Sequence, residues 1–87
     1  MLINKVKNLP NTFGVYCFLK NKEFLYIGKS KNLKNRVSSY FKSTLKRHIF
    51  LVNNSDNISY FIVDSEKDAL FLENNLIKKY KPKYNIL

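Results

Sequence analysis

Glu73 stands where a helix would bury it. If the run from Glu66 to Tyr80 (EKDALFLENNLIKKY) is helical, Ala69, Leu70, Leu76, Ile77 and Tyr80 all fall within about 60° of Glu73 around the axis. Asn74, Asn75, Lys78 and Lys79 point elsewhere. The expectation is a carboxylate at the centre of the apolar stripe that must face the rest of the protein. Stripped of water, such a group needs a cation, hydrogen-bond donors or a metal. An ion pair with one of the many lysines or arginines is the commoner solution. A single carboxylate makes a sparse metal site, although Mg²⁺ often accepts one or two carboxylates and keeps several waters. The choice depends on what else converges on the same place.

A second group of residues converges from the stretch YIGKSKNLKNRV, residues 26–37. It begins like a strand and ends like a helix, with Gly28 and Lys29 at the join. Side chains alternate along a strand, so Tyr16 and Phe18 share one side of their strand and Tyr26 and Gly28 one side of theirs. An odd-length loop, Asn21 to Glu23, pairs Phe18 with Tyr26 and Tyr16 with Gly28. Tyr16 and Tyr26 then become diagonal neighbours about 7 to 8 Å apart. An even-length loop would put them on opposite faces. Either tyrosine alone would ordinarily be core. Gly28 removes a side chain opposite Tyr16 and opens room for a substrate backbone. Arg36 and Tyr40 lie four residues apart on one face of the helix that follows. Lys29 sits near the start of that helix, where free N–H groups attract anions. Lys31 and Lys34 read as solvated charge.

The elements that must position these groups are legible from pattern. GVYCFLK (14–20) and FLYIGK (24–29) form a hairpin signal, and ISYFIV (58–63) a third strand. Leu33, Val37 and Phe41 repeat every four residues from Asn32 onward, which predicts a helix. A second basic helix covers Leu45 to about Val52, before a loop rich in Asn and Ser. Ser65 with Asp68 resembles a capping box, and the helix from Glu66 should stop before Pro82. The order β-β-α-α-β-α predicts an α/β (α+β) domain: a small three-stranded antiparallel sheet packed with about three helices.

Eighty-seven residues make one domain, 1–87, with a thin core. Sixteen Lys and Arg against six Asp and Glu leave a net charge of +10, a usual footprint of nucleic-acid binding. The lone Cys17 has no internal disulfide partner, alternates away from Tyr16 and reads as core. No Cys/His spacing resembles a zinc site. No signal peptide or apolar membrane run is visible, so the expectation is a cytoplasmic, monomeric domain without membrane contact. The only histidine, His48, falls outside every motif above and reads as incidental.

The segments also resemble a known family. Gly14-Val15-Tyr16, followed ten residues on by Tyr26-Ile27-Gly28, is similar to the signature pair of GIY-YIG nuclease domains, with Val for the central Ile. LPNTFGVYCF, LYIGKSKNLKNRVSSYF and FIVDSEKDALFLENNLIKKYKPKYNIL together resemble the N-terminal domain of UvrC proteins, incision subunits of bacterial nucleotide excision repair, over residues 9–87. The resemblance implies the GIY-YIG fold and hydrolysis of a DNA phosphodiester with one Mg²⁺ or Mn²⁺. It places the signature tyrosines on Tyr16 and Tyr26, the glycine on Gly28 and the next lysine on Lys29. The helix arginine falls on Arg36, its tyrosine on Tyr40, the metal-binding glutamate on Glu73 and a late asparagine on Asn85.

By that resemblance the metal at Glu73 polarises the phosphate and stabilises the departing 3′-oxygen. Tyr26 takes the proton of the attacking water, with Tyr16 the second choice. A phenol ordinarily ionises near about pH 10, so this role needs a nearby cation, Lys29 or the metal with its water. Arg36 stabilises charge growing on the phosphate, Tyr16 and Tyr40 position water and phosphate, and Asn85 orders the site or contacts substrate. No motif position is lost, which implies an active domain. Within a whole UvrC chain the family implies incision 3′ of a lesion, alongside UvrB on a damage complex loaded by UvrA. Two competing readings are a stand-alone or homing-type GIY-YIG nuclease and a basic DNA-binding module without catalysis.

Overall fold

A computed structural model describes residues 2–85. The elements run α1 (Leu2–Lys7), β1 (Gly14–Lys20), β2 (Glu23–Ser30), α2 (Leu33–Lys42), α3 (Lys46–Asn54), β3 (Asn57–Ile62) and α4 (Glu66–Tyr80). The strands form one antiparallel sheet in the order β2-β1-β3. This is the expected three-stranded α+β architecture, with one helix more than the sequence reading found. That helix, α1, is six residues long, carries the β-branched Ile3 and Val6 and buries only Val6. A helix so short has no intrinsic stability and exists through tertiary packing, which local pattern does not register.

β1 is the central strand and is buried on both faces. One face carries Tyr16 and Phe18 into a core with Val6, Leu9, Leu33, Val37, Tyr40, Leu51 and Ile58, covered by α1, α2 and α3. The other carries Val15 and Cys17, with Ile27, against Ala69 of α4. Asn32 caps α2 by accepting the Asn35 N–H at 3.0 Å. Ser65 caps α4 by accepting the Asp68 N–H at 3.1 Å, the expected start. Lys81 leaves α4 in a left-handed conformation (φ 45°) just before Pro82, the expected stop.

The hairpin reaches its expected register by an unexpected route. The turn has two residues, Asn21 (φ 51°) and Lys22 (φ 68°), both with the positive φ of a type I′ turn. An even turn alone would set Tyr16 and Tyr26 on opposite faces. A bulge restores the phase: Leu19 pairs with Phe24 and Phe18 with Tyr26, so Leu25 is the extra residue. Tyr16 therefore faces Gly28 across the ladder.

The apolar stripe of α4 is also rotated from its expected centre. Leu72, Leu76 and Ile77 pack beside Ala69 against the sheet, whereas Leu70 and Tyr80 are 45% and 44% exposed. Glu73 thus lies off the middle of the stripe, half-buried rather than central. The helix covers a narrow sheet, leaving its outer flank in solvent.

Two measurements test these features. Lys22→Gly creates the favoured Asn-Gly pair and relieves the left-handed strain of a residue with a Cβ, offset partly by glycine's backbone entropy. The net gain of roughly 0.5 kcal/mol should raise the thermal midpoint by about 3 °C. The second is alkaline lability. Burial pushes the Cys17 thiol up to about 11 from its ordinary value near 9, and burial likewise holds the Tyr16 and Tyr40 phenols above their ordinary value near 10. The unfolded chain releases these protons first, so the folded state binds more protons above about pH 9 and stability falls as pH rises. A urea midpoint that drops steadily from about pH 8 to about pH 10.5 is the expected result; a flat profile would contradict the burial of these groups.

Candidate active site

Tyr16, Tyr40 and Arg36 form the centre of the site. The Tyr16 and Tyr40 hydroxyls are hydrogen-bonded at 2.8 Å, and both residues are buried. The Arg36 guanidinium lies over the Tyr40 ring, 5.5 Å from its centroid. Desolvation raises the Tyr16 phenol, while the Tyr40 hydroxyl and the Arg36 guanidinium pull it partly back. Burial is also the main cause for Tyr40, reinforced by Tyr16 and only partly opposed by Arg36. The same closeness to the Tyr16 hydroxyl raises Arg36 above its already high value. Both hydroxyls are therefore protonated near neutrality and serve as neutral hydrogen-bonding groups.

Tyr26 stands on the same sheet face, its ring centroid 6.3 Å from that of Tyr16. It is half-buried and lines an open cleft of about 360 Å³ with Tyr40, Lys46, Arg47, His48, Phe50, Leu51 and Tyr84. Gly28 has a different use from the one expected. The sequence reading gives the room at Gly28 to a substrate backbone; the structure gives it to Tyr16. A Cβ on Gly28 would lie 2.5 Å from both the Cζ and the hydroxyl oxygen of Tyr16.

A second, smaller cleft of about 200 Å³ brings Lys29 and Arg36 together with Ser30, Lys31, Glu66 and Ala69. Ser30 ties the elbow between β2 and α2, accepting from the Asn32 N–H at 2.9 Å and donating to the Asn32 carbonyl at 2.8 Å. Lys31, expected to be solvated, pairs with Glu66 at 3.5 Å with both side chains largely exposed, a contact of small energetic weight. Lys34 is half-buried.

Glu73 follows Ala69 by one turn of α4, on the side of the helix that faces the sheet. Among the described residues it has no ion-pair or hydrogen-bond partner, so the ion pair that residue statistics favour is not formed. No group of three or more His, Cys, Asp or Glu capable of holding a metal occurs among the described residues either. The donor set is a lone half-buried carboxylate, which suits a hard cation that retains most of its water.

Asn85 clamps the edge of the sheet. Its Oδ1 accepts the Ile27 N–H and its Nδ2 donates to the Ile27 carbonyl, both at 2.8 Å. These bonds hold the backbone between Tyr26 and Gly28. His48, read as incidental, is instead 7% exposed, with its ring centroid 4.2 Å from that of Tyr40 and its Nδ1 2.8 Å from the Ser43 Oγ. Burial, then Arg47 and Arg36, lower its pKa, so it is neutral near pH 7. Only the three-dimensional contact with Tyr40 reveals it; nothing in its sequence neighbourhood does.

Comparison with known proteins follows the same lines. The model of the UvrC-like GIY-YIG domain matches residues 12–86. UvrABC system protein C of Fusobacterium nucleatum is 53% identical over all of the chain, and that of Mesoplasma florum 52% identical over 99% of it. The chain spans 15% of the length of each of these relatives. The GIY-YIG N-terminal endonuclease domain of UvrC from Thermotoga maritima, solved with magnesium as its catalytic divalent cation, superposes with a TM-score of 0.90. It is 38% identical, over 94% of this chain and 92% of that one. Single tyrosine-to-phenylalanine and asparagine-to-alanine mutants of that domain, each bound to its catalytic cation, match with TM-scores of 0.90 and 0.91. By sequence, fold and length of match, the chain belongs to the UvrC-like GIY-YIG family, whose matched structures are endonuclease domains carrying a catalytic divalent cation.

Proposed function

We propose that this domain hydrolyses a DNA phosphodiester with one divalent metal, Mg²⁺ or Mn²⁺, held by Glu73. The observation that carries this reading is that, among the described residues, a half-buried carboxylate has no cation partner although the chain holds sixteen lysines and arginines. Leaving it unpaired costs stability unless something else compensates. The cation held by each of the Thermotoga domains, including the mutants, supports the same role here. When bound, the ion supplies positive charge to the phosphate and to the departing 3′-oxygen.

The chain's own residues then divide the remaining work. Tyr16 and Tyr40 are bonded to each other and held protonated, so they position water and phosphate as neutral groups. Tyr26, half-buried and lining an open cleft, takes the proton of the attacking water. Arg36 presents forked donors where charge grows on the phosphate, and the adjacent Lys29 adds positive potential. Asn85 orders the site through Ile27 rather than by touching substrate. In the setting of a longer chain, the reading is the 3′-side incision of nucleotide excision repair in the cytoplasm, on a damage complex containing UvrB. The domain supplies the cut and the remainder of the assembly supplies the position.

Nicking of duplex DNA at low salt with Mn²⁺ tests this. Wild type should cut, while Glu73→Gln and Tyr26→Phe lose at least about a hundredfold in rate. Glu73→Gln should retain DNA binding. A Glu73→Gln variant that cuts like wild type would sink the assignment, and binding without cutting or metal uptake by wild type would leave a DNA-binding module. Gly28→Ala forces the new methyl into the buried Tyr16 ring and should cost about 1–3 kcal/mol of stability. Its cutting rate should fall by more than about tenfold because Tyr16 can no longer reach Tyr40.

A further inference from the structure

Of the cleft lined by Tyr26 and Tyr40, the roles above use only those two residues. The rest adds the aromatic neighbour of Tyr40 and one further aromatic pair. Tyr40 and His48 lie 4.2 Å apart by ring centroid, and Phe50 and Tyr84 lie 4.8 Å apart. Leu51 is buried beneath them, and Lys46 and Arg47 are exposed among the lining residues. Phe50 is 38% exposed although it lies on the helix that buries Leu51. A volume of about 360 Å³ is at the lower end of pockets that enclose small molecules, which run from about 300 to 1,000 Å³. Aromatic faces framed by cations match a flat, uncharged ring attached to a phosphate. A +10 chain draws polyanions rather than apolar peptides to this surface. The cleft is also continuous with the site, because Tyr40 lines it while Arg36, seated over the same Tyr40 ring, lines the smaller cleft.

We propose that this cleft receives one unpaired DNA base beside the phosphate to be cut, stacked against Phe50 and Tyr84, with its flanking phosphate held by Lys46 and Arg47. The inference rests on the nuclease reading for its location and deepens it by naming the form of the substrate: DNA with a nucleotide out of its helix. Every base has a π-face, so the preference concerns pairing state and not base identity. A base already out of the stack carries no unstacking cost, which makes a distorted duplex the better ligand.

The test is direct binding, without metal, to two end-labelled duplexes that differ only by one unpaired nucleotide, read by fluorescence anisotropy. Wild type should bind the bulged duplex about tenfold tighter than the paired one, the scale of one stacked base. Phe50→Ala should abolish that ratio while Phe50→Tyr keeps it, and Phe50→Tyr should unfold at about the wild-type temperature whereas Phe50→Ala loses its packing on Tyr84. Lys46→Ala should weaken binding to both duplexes and flatten its salt dependence. Equal affinity of wild type for the two duplexes would overturn the proposal, as would a ratio that survives Phe50→Ala; either is the result expected if a protein segment fills the cleft. Because the binding assay omits metal and the nicking assay contains Mn²⁺, loss of the ratio with nicking intact condemns the cleft alone. Loss of nicking with the ratio intact condemns only the nuclease reading.

Discussion

The ring of Tyr16 fills the space where Gly28 has no side chain, and the rest of the site hangs from that contact. The ring can lie there only if Tyr16 and Gly28 face each other across the ladder, which the bulge at Leu25 secures. From that position the Tyr16 hydroxyl reaches Tyr40, which anchors α2 and carries Arg36. A single absent methyl group on β2 therefore governs, through Tyr16 and Tyr40, the placement of a guanidinium on α2. The two hydroxyls satisfy each other in a buried setting, with the Arg36 guanidinium beside the Tyr16 oxygen.

Charge is distributed with similar economy. The cations outnumber the acids by ten, yet the described residues contain one ion pair, between exposed Lys31 and Glu66. The remaining positive side chains stay available to a polyanion, and Glu73 is left without a protein counter-charge. Self-repulsion among so many cations destabilises a small body, and bound polyanion relieves it. Folding and the binding of any polyanion thus favour each other in this domain without any conformational switch.

Most of this arrangement is legible in the residues, for identifiable reasons. Alternation along β1 and β2 is a short-range signal, and so are the Ser65 cap and the Pro82 stop. The facing of Tyr16 and Gly28 does not follow from alternation alone: with a two-residue turn it needs the bulge, which leaves no trace in a hydrophobic pattern, and Lys22 carries no mark of a positive φ. Helix α1 escapes notice because six residues derive their shape from α2 and β3, not from themselves. The off-centre place of Glu73 depends on how wide a sheet α4 must cover, which its own periodicity does not record. His48 is hidden for a related reason: its contacts with Tyr40 and Ser43 are made by the fold of α3 against α2.

The two edges of the sheet differ in kind. Along β2 the outward backbone groups of Leu25 and Ile27 are taken by Tyr84 and Asn85, so the loop after α4 acts as a stub of fourth strand. Among the described residues no further strand lies beyond β3, and Tyr60, Phe61 and Ile62 stand partly in solvent there. An unpaired strand edge is a template for another chain. Asn85 thus has a second consequence, unrelated to chemistry: it leaves the sheet able to grow from one side only. Any strand pairing between copies would be confined to the β3 edge and would stop at pairs joined back to back, whereas a sheet open at both edges propagates into fibres.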